Sequence, residues 1–275
     1  MAIINPPNLE VRQLKGLHLY HAGLSSCSQR VRVALEEKGL PWESHVIDIA
    51  NDEHVTSDYP TINPKGVVPT LVHDGVVHIE SADILAYIDK TFDGPSLNAG
   101  NPAETHYWVE RCDEQQYALK VTSHEFLFKL KARKSPEALA RFKRLQQHNP
   151  GLVEFHEMFS SKNGLPKKLI QDSVARIMAD TSALDQQLAN QPYIAGKHFS
   201  IADAAWMISA HRYALMGFPT RRFPNYSQWF ARMRQRKSYR GALQNWEPKG
   251  AIRAMGIYTA YRRMTGTDFC AFIPA

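Results

Sequence analysis

The sequence predicts an α/β domain followed by an all-α domain. Three observations carry that expectation. A strand, a helix and a second strand follow one another within about 30 residues after Gly16, the order of a βαβ crossover and a parallel pair. Two more short strands, joined by the hairpin signal Asp74-Gly75, precede another helix. Beyond a Gly-, Pro- and Asn-rich stretch starting at Asp93, apolar residues recur at helical spacing with no convincing strand.

The elements follow in order. After a polar leader, GLHLYHAG offers a short strand that stops at Ala22-Gly23. SSCSQRVRVALEEKGL, Ser25 to Leu40, reads as a helix with Val31, Ala34 and Leu35 at helical spacing and Gly39 as its stop. ESHVIDI is the second strand, INPKG a loop, and VPTLVHDG with VVHIES the hairpin. SADILAYIDKTF closes the unit as a helix capped by Ser81, with Ile84, Leu85 and Ile88 as its apolar stripe. The order βαβ then ββα is that of a thioredoxin-like module over residues 17–92. A linker is expected at 93–104, an all-α domain at 105–245 and an extension at 246–275 that has helical potential and could cover a cleft. Within the helical part, Ser200 and Asp203 form a capping-box-like pair, with Phe199 placed as a staple.

Bulk composition narrows the function classes. A chain of 275 residues with 44% hydrophobic and 22% charged residues has ample material for a buried core. No apolar run approaches the roughly 20 residues of a membrane span and the first residues lack a signal core, so no membrane association and a cytoplasmic location are expected. Cys27, Cys112 and Cys270 are an odd number at wide spacing, which indicates neither a disulfide framework nor a metal knuckle. The 12 histidines are scattered, so no metal site is expected, and neither a P-loop nor GxGxxG occurs. The net charge of +6 divides into −5 through Phe92 and +11 beyond it. Much of the excess lies in KLKARKSPEALARFKR, Lys129 to Arg144. Only Phe142 interleaves with those charges, so a solvated helix face is favoured over a nucleic-acid surface.

GLHLYHAG, SSCSQRVRVALEEKGL, NPKGVVPTLV, ESADILAYID and SIADAAW, in this order and spacing, resemble the cytosolic glutathione transferases across roughly residues 17 to 245. The resemblance implies a thioredoxin-like domain that binds glutathione as co-substrate, a helical second domain and a homodimer. It implies a cis peptide at Val68-Pro69 that turns the Val68 backbone toward the cysteinyl part of glutathione, as β-augmentation by a tripeptide. It assigns Glu80 and Ser81 to the γ-glutamyl end, where a helix N-terminus favours a carboxylate. Val67 stands where many relatives carry Gln, which leaves Lys65 or His54 to hold the glycyl carboxylate.

Catalysis in such enzymes requires a thiolate. Lowering a thiol pKa by two from its usual ~8.5 is worth roughly 3 kcal/mol, which a hydroxyl donor beside a helix N-terminus can largely supply. Ser25 falls where zeta-, tau- and phi-like enzymes carry their catalytic Ser and omega-like ones their Cys. Cys27 matches the active-site Cys of beta-like enzymes, and Ser28 matches the β-aryl-ether-cleaving branch; the order of preference is Ser25, Cys27, Ser28. Tyr20 reads as core, and Arg30 and Arg32 as structural pairs. The wall for the electrophile is expected around Tyr107, Trp108, Arg111 and Tyr117. NGLPKKLIQDSVARI and the insertion Lys131 to Gly164 resemble the region found in lignin β-aryl-ether-cleaving transferases. Two other readings stand beside ether cleavage: a zeta-like cis–trans isomerase of maleyl-type diacids, suggested by SSCS, and a transferase-like binding module without turnover.

Overall fold

A computed structural model describes residues 2–56 and 58–274. Its contacts divide the chain into two compact units, and neither is a single run of sequence. The first comprises Met1–Ser96, Lys134–Glu157 and Lys237–Trp246; the second comprises Leu97–Arg133, Met158–Arg236 and Glu247–Ala275.

In the first unit five strands form one sheet, ordered β1-β5-β4-β2-β3 among the described residues. They are β1 (Ala2–Ile4), β2 (Leu17–His21), β3 (Glu43–Val46), β4 (Thr70–His73) and β5 (Val76–Ile79). The β2–β3 pair is parallel, as the crossover requires, and the others are antiparallel. The leader is not merely polar chain, because Ala2 to Ile4 add an edge strand against β5 and the Ala2 N–H donates to Asp83 Oδ2 at 2.9 Å. The strand expected across ESHVIDI stops at Val46, since the Asp48 side chain accepts from the Ala50 and Asn51 amides and turns the chain. The β4–β5 hairpin has φ of 48° at Asp74 and 80° at Gly75, the left-handed pair of a type I′ turn. A side chain at Gly75 would also collide with the Arg12 carbonyl, 2.3 Å from the position of a Cβ.

Helix α1 (Ser26–Lys38) ends at Gly39 in the left-handed conformation. It buries Val31, Val33, Ala34 and Leu35 completely, worth roughly 1.5–3 kcal/mol for each of the larger side chains. It packs against α4 (Ser81–Thr91), whose stripe is Ile84, Leu85 and Ile88 as expected. Short helices α2 (Glu53–Thr56) and α3 (Tyr59–Ile62) follow β3, and Ile62 joins Val11, Val72, Val77 and Ile79 in one buried cluster.

The second unit is helical: α5 (Pro102–Glu114), α6 (Gln116–Ser123) running into a π-helical turn at His124–Phe128, α9 (Lys167–Gln187), α10 (Ile201–Leu215) and α11 (Pro224–Gln235). Helices α7 (Pro136–Leu145) and α8 (Pro150–Ser160) lie wholly or mainly in the first unit, as do α12 (Lys237–Tyr239) and the π-helical turn Arg240–Gln244. Helix α10 is buried on nearly every side and begins with the capping box expected at Ser200 and Asp203. The extension forms α13 (Lys249–Met264) and is fastened to the second unit. Arg262 Nη1 donates to Glu125 Oε1 at 2.8 Å, and Phe269 is buried against Phe126 and Phe218.

Candidate active site

Strand register gathers three sequence-distant segments of the first unit. Tyr20 near the end of β2 pairs with Thr70 at the start of β4, and Leu71 pairs with His78 just before β5 ends. The Ser25 turn, the Val68-Pro69 dipeptide and the Glu80-Ser81 helix start therefore leave the sheet at the same end. Two interstrand spacings separate the outer strands, about 10 Å, which is also about the reach of an extended tripeptide.

Ser25 caps α1: its Oγ accepts from the Ser28 amide at 3.3 Å. A hydroxyl has one proton and two lone pairs, so capping leaves the proton available. Ser25, Ser26 and Cys27 are partly exposed on this turn, and Cys27 is a free thiol. Ser28 is completely buried and its Oγ accepts from the Ala22 amide at 3.3 Å, which makes it a strut behind the turn.

Arg32 holds the same turn from inside. Its guanidinium donates to the Ala22 and Gly23 carbonyls at 3.2 and 2.9 Å, to the Ala242 carbonyl at 2.7 Å and to His21 Nδ1 at 2.8 Å. Burial, then the charges of Arg32 and His45, push His21 down to about 3. The ring is neutral, and Nε2–H donates to Ser44 Oγ at 2.8 Å. The structural-pair reading of Arg32 anticipates a contact but not this role, because Ala242 lies 210 positions away.

The Val68-Pro69 peptide is cis. Just ahead of it, the Val67 carbonyl accepts from Tyr59 Oη at 2.6 Å and from Asn63 Nδ2 at 2.9 Å. Burial pushes the Tyr59 phenol up to about 12, so its hydroxyl keeps the proton it donates. Thus Val67 is fixed through its backbone. Val68 lies ahead of the first β4 ladder pair.

Ser81 proves to be the first helical residue of α4, not its cap. The cap is Glu80, at φ 65° and ψ 114° with no side-chain capping bond. Such a conformation in a non-glycine residue costs on the order of 1–3 kcal/mol and is found preferentially at ligand-holding positions. The Glu80 carboxylate is exposed and pairs with Lys65 Nζ at 2.5 Å, so two of the expected contact residues are already neighbours.

His54 is buried, and burial lowers its pKa against the opposing influence of Asp52. Asp52 in turn receives Lys134 Nζ at 2.8 Å and Arg141 Nη2 at 3.2 Å. Burial alone would raise the Asp52 carboxyl, but these two cations outweigh it and hold it below the usual range. The basic stretch is thus largely occupied: Lys143 pairs with Glu157, Lys129 with Glu125, and Arg133 donates to the Phe159 and Ser161 carbonyls.

In the second unit, Arg111 donates to the buried Asp180 at 2.8 Å and to Tyr107 Oη at 2.6 Å. Tyr107 and Tyr117 are about half exposed. Trp108 is core, packed edge-on against Trp206, whose indole N–H donates to the Trp108 carbonyl at 2.8 Å. Lys120, one turn beyond Tyr117, escaped notice in the sequence; burial pushes its ammonium down to about 8.

Comparisons with known proteins agree with this architecture. The family description "Glutathione S-transferase, N-terminal domain" matches residues 24–91, and "Glutathione S-transferase, C-terminal domain" matches 131–237. The tetrachloro-p-hydroquinone reductive dehalogenase of Sphingobium chlorophenolicum is 27% identical over 254 residues, covering 85% of this chain and 98% of that protein. The crystal structure of the beta-etherase LigF from Sphingobium sp. strain SYK-6 superposes with a TM-score of 0.76 at 25% identity, covering 83% of this chain and 99% of that one. Glutathione S-transferase Z1 of Arabidopsis thaliana is 41% identical over 81 residues, 30% of this chain and 37% of that protein. With both domain descriptions matched in order on this fold, the chain belongs to the cytosolic glutathione transferase family and is a glutathione transferase that uses glutathione as co-substrate.

Proposed function

We propose that this enzyme cleaves aryl ethers, with Ser25 as the group that ionises glutathione. The Ser25 hydroxyl donates to the glutathione sulfur and, with the free amides of α1, favours the thiolate. The thiolate attacks the carbon bearing the aryloxy group, a C–S bond forms, the C–O bond breaks, and the phenolate leaves to take a proton from water. No electrons enter or leave. Glutathione lies along the sheet end, with its γ-glutamyl group at Glu80 and Ser81 and its cysteinyl backbone at Val68 ahead of Pro69. Its glycyl carboxylate lies toward Lys65, since His54 is buried. Tyr107, Arg111 and Tyr117 supply polar and aromatic surface for the electrophile, while Trp108 braces them from behind. The observation that carries the ether reading is the extent of the likeness to the LigF beta-etherase.

The test is product analysis. A β-aryl ether incubated with enzyme and glutathione should release one phenol for each glutathione thioether formed. Rapid release of halide from a chlorinated hydroquinone, or isomerisation of maleylacetone, with the ether left intact, would replace this reading by the dehalogenase-like or zeta-like one.

Cys27 is the second candidate for the sulfur chemistry, because it is a partly exposed free thiol on the same turn. Loss of activity in Cys27→Ala but not in Ser25→Ala would transfer the role to it. The working form is proposed to be a cytoplasmic homodimer, as is usual in this family; light scattering on the purified protein measures the assembly. Among the described residues no helix is long and apolar enough to cross a membrane.

A further inference from the structure

The crossover that builds the sheet also collects side chains that the sequence scatters. His18 on β2 stands directly opposite Glu43 on β3, and Tyr20 opposite His45, so all four share one face of the parallel pair. On that face His18 Nδ1 lies 3.0 Å from His45 Nε2 and 3.5 Å from Glu43 Oε2. The three ligand-type atoms all lie within 4.8 Å of one another.

We propose that His18, Glu43 and His45 bind a divalent zinc-type cation at the outer pair of strands. Two of the three separations suit such an ion, and the third lies within 4.8 Å. Zinc bonds of about 2.0–2.1 Å in a tetrahedral arrangement place neighbouring ligand atoms about 3.3 Å apart. Both His18 separations fall within a few tenths of an ångström of that value. Two imidazoles and one carboxylate, with a fourth position left to water, form a donor set that suits zinc.

The surroundings orient the rings as ligands. His18 Nε2 lies 2.9 Å from the Lys15 carbonyl and donates to it, so the neutral ring carries its lone pair on Nδ1, facing the other two groups. His45 is held by stacking on Tyr20, ring centroids 4.3 Å apart at 13°. The Glu43 carboxylate and the His18 Nδ1 lone pair are both acceptors and cannot bond to each other. His45 Nε2–H donates to that lone pair at 3.0 Å, and a cation taking the place of this proton would join all three groups. His18 is buried whereas the Glu43 side chain is 74% exposed, so the site has a firm floor and an open entrance.

The experiment is calorimetric titration of untagged, chelator-stripped enzyme with zinc chloride, repeated with cobalt for its visible tetrahedral bands. One equivalent should bind the unaltered enzyme and raise its thermal midpoint. His45→Ala should lose that equivalent and the cobalt bands, and Glu43→Gln, altered at an exposed side chain, should weaken binding about tenfold or more. Cys27→Ala should retain the full equivalent. The proposal is overturned if the unaltered enzyme takes up no zinc, in which case a proton occupies the place of the metal. It is equally overturned if His45→Ala binds zinc as well as the unaltered enzyme, or if the equivalent disappears in Cys27→Ala instead. Far-ultraviolet dichroism of each variant separates lost ligation from lost fold.

Discussion

Ser25 and Ser200 are the same residue doing the same local job, and they differ in the fate of one proton. Each caps a helix, accepting from the amide three residues on at 3.3 and 3.5 Å respectively. Ser200 is fully buried and gives its proton to Asp203 Oδ2 at 2.8 Å, closing a box in which every group is satisfied. Ser25 is partly exposed, and among the described residues its hydroxyl donates to no protein group. A cap whose proton is committed is a fastening; one whose proton faces solvent can act on a ligand. Helix-start chemistry alone does not separate these two serines, but the next hydrogen bond does.

The most damaging test of the contrast lies in the closed box. Asp203 accepts from the Ile194 and Ser200 amides, the Ser200 hydroxyl and the Trp229 indole. Asp203→Ala strands these buried donors, and urea titration should register a loss of about 4 kcal/mol. Next, Ser25→Ala should lower kcat/KM about a hundredfold, or about 2.7 kcal/mol of transition-state stabilisation. It should also abolish the ultraviolet thiolate signal of bound glutathione while lowering stability by only about 1 kcal/mol. Equal loss of rate in Ser200→Ala would erase the distinction between the two caps.

The contrast sharpens when carried to the buried carboxylates, since Asp203 is surrounded by neutral donors and Asp52 by two cations. Asp52→Asn should destabilise by about 2 kcal/mol, less than a fully buried pair because Arg141 is half exposed. The folded-state pKa of Asp52 is depressed, so its contribution is present above the unfolded carboxylate value near ~3.9 and lost as pH falls through the folded one. Acid unfolding of Asp52→Asn should accordingly be less steep below about pH 4. The smallest effect is expected from Ser200→Ala, about 1 kcal/mol with kcat/KM unchanged, by thermal unfolding and steady-state rates.

Features written in a few consecutive residues were legible before the fold. The βαβ and ββα order, the Asp74-Gly75 hairpin and the Ser200–Asp203 box each depend on neighbours a few positions apart, whereas the cis Val68-Pro69 bond is expected from the family resemblance. What escaped depends on pairing across the chain. The edge strand Ala2–Ile4 exists only because β5 lies beside it. The net charge of Lys129 to Arg144 suggests an exposed basic face, but Asp52, Glu125 and Glu157 answer much of it. Ser81 looks like a cap by residue type, yet the chain enters α4 through Glu80 in a left-handed conformation that no local rule favours. The strand register that assembles the Ser25, Val68 and Glu80 segments also brings His18 to Glu43, and spacing along the sequence conceals both.

The discontinuity of the first unit has a consequence for how the protein is made. On a ribosome the first 96 residues emerge with Arg32 lacking the Ala242 carbonyl and Asp52 lacking both Lys134 and Arg141. Two buried charges wait for chain not yet synthesised, so the sheet-bearing unit matures only after most of the helical unit has been translated. Expressed by itself, that first stretch would be an orphan in search of its missing pieces.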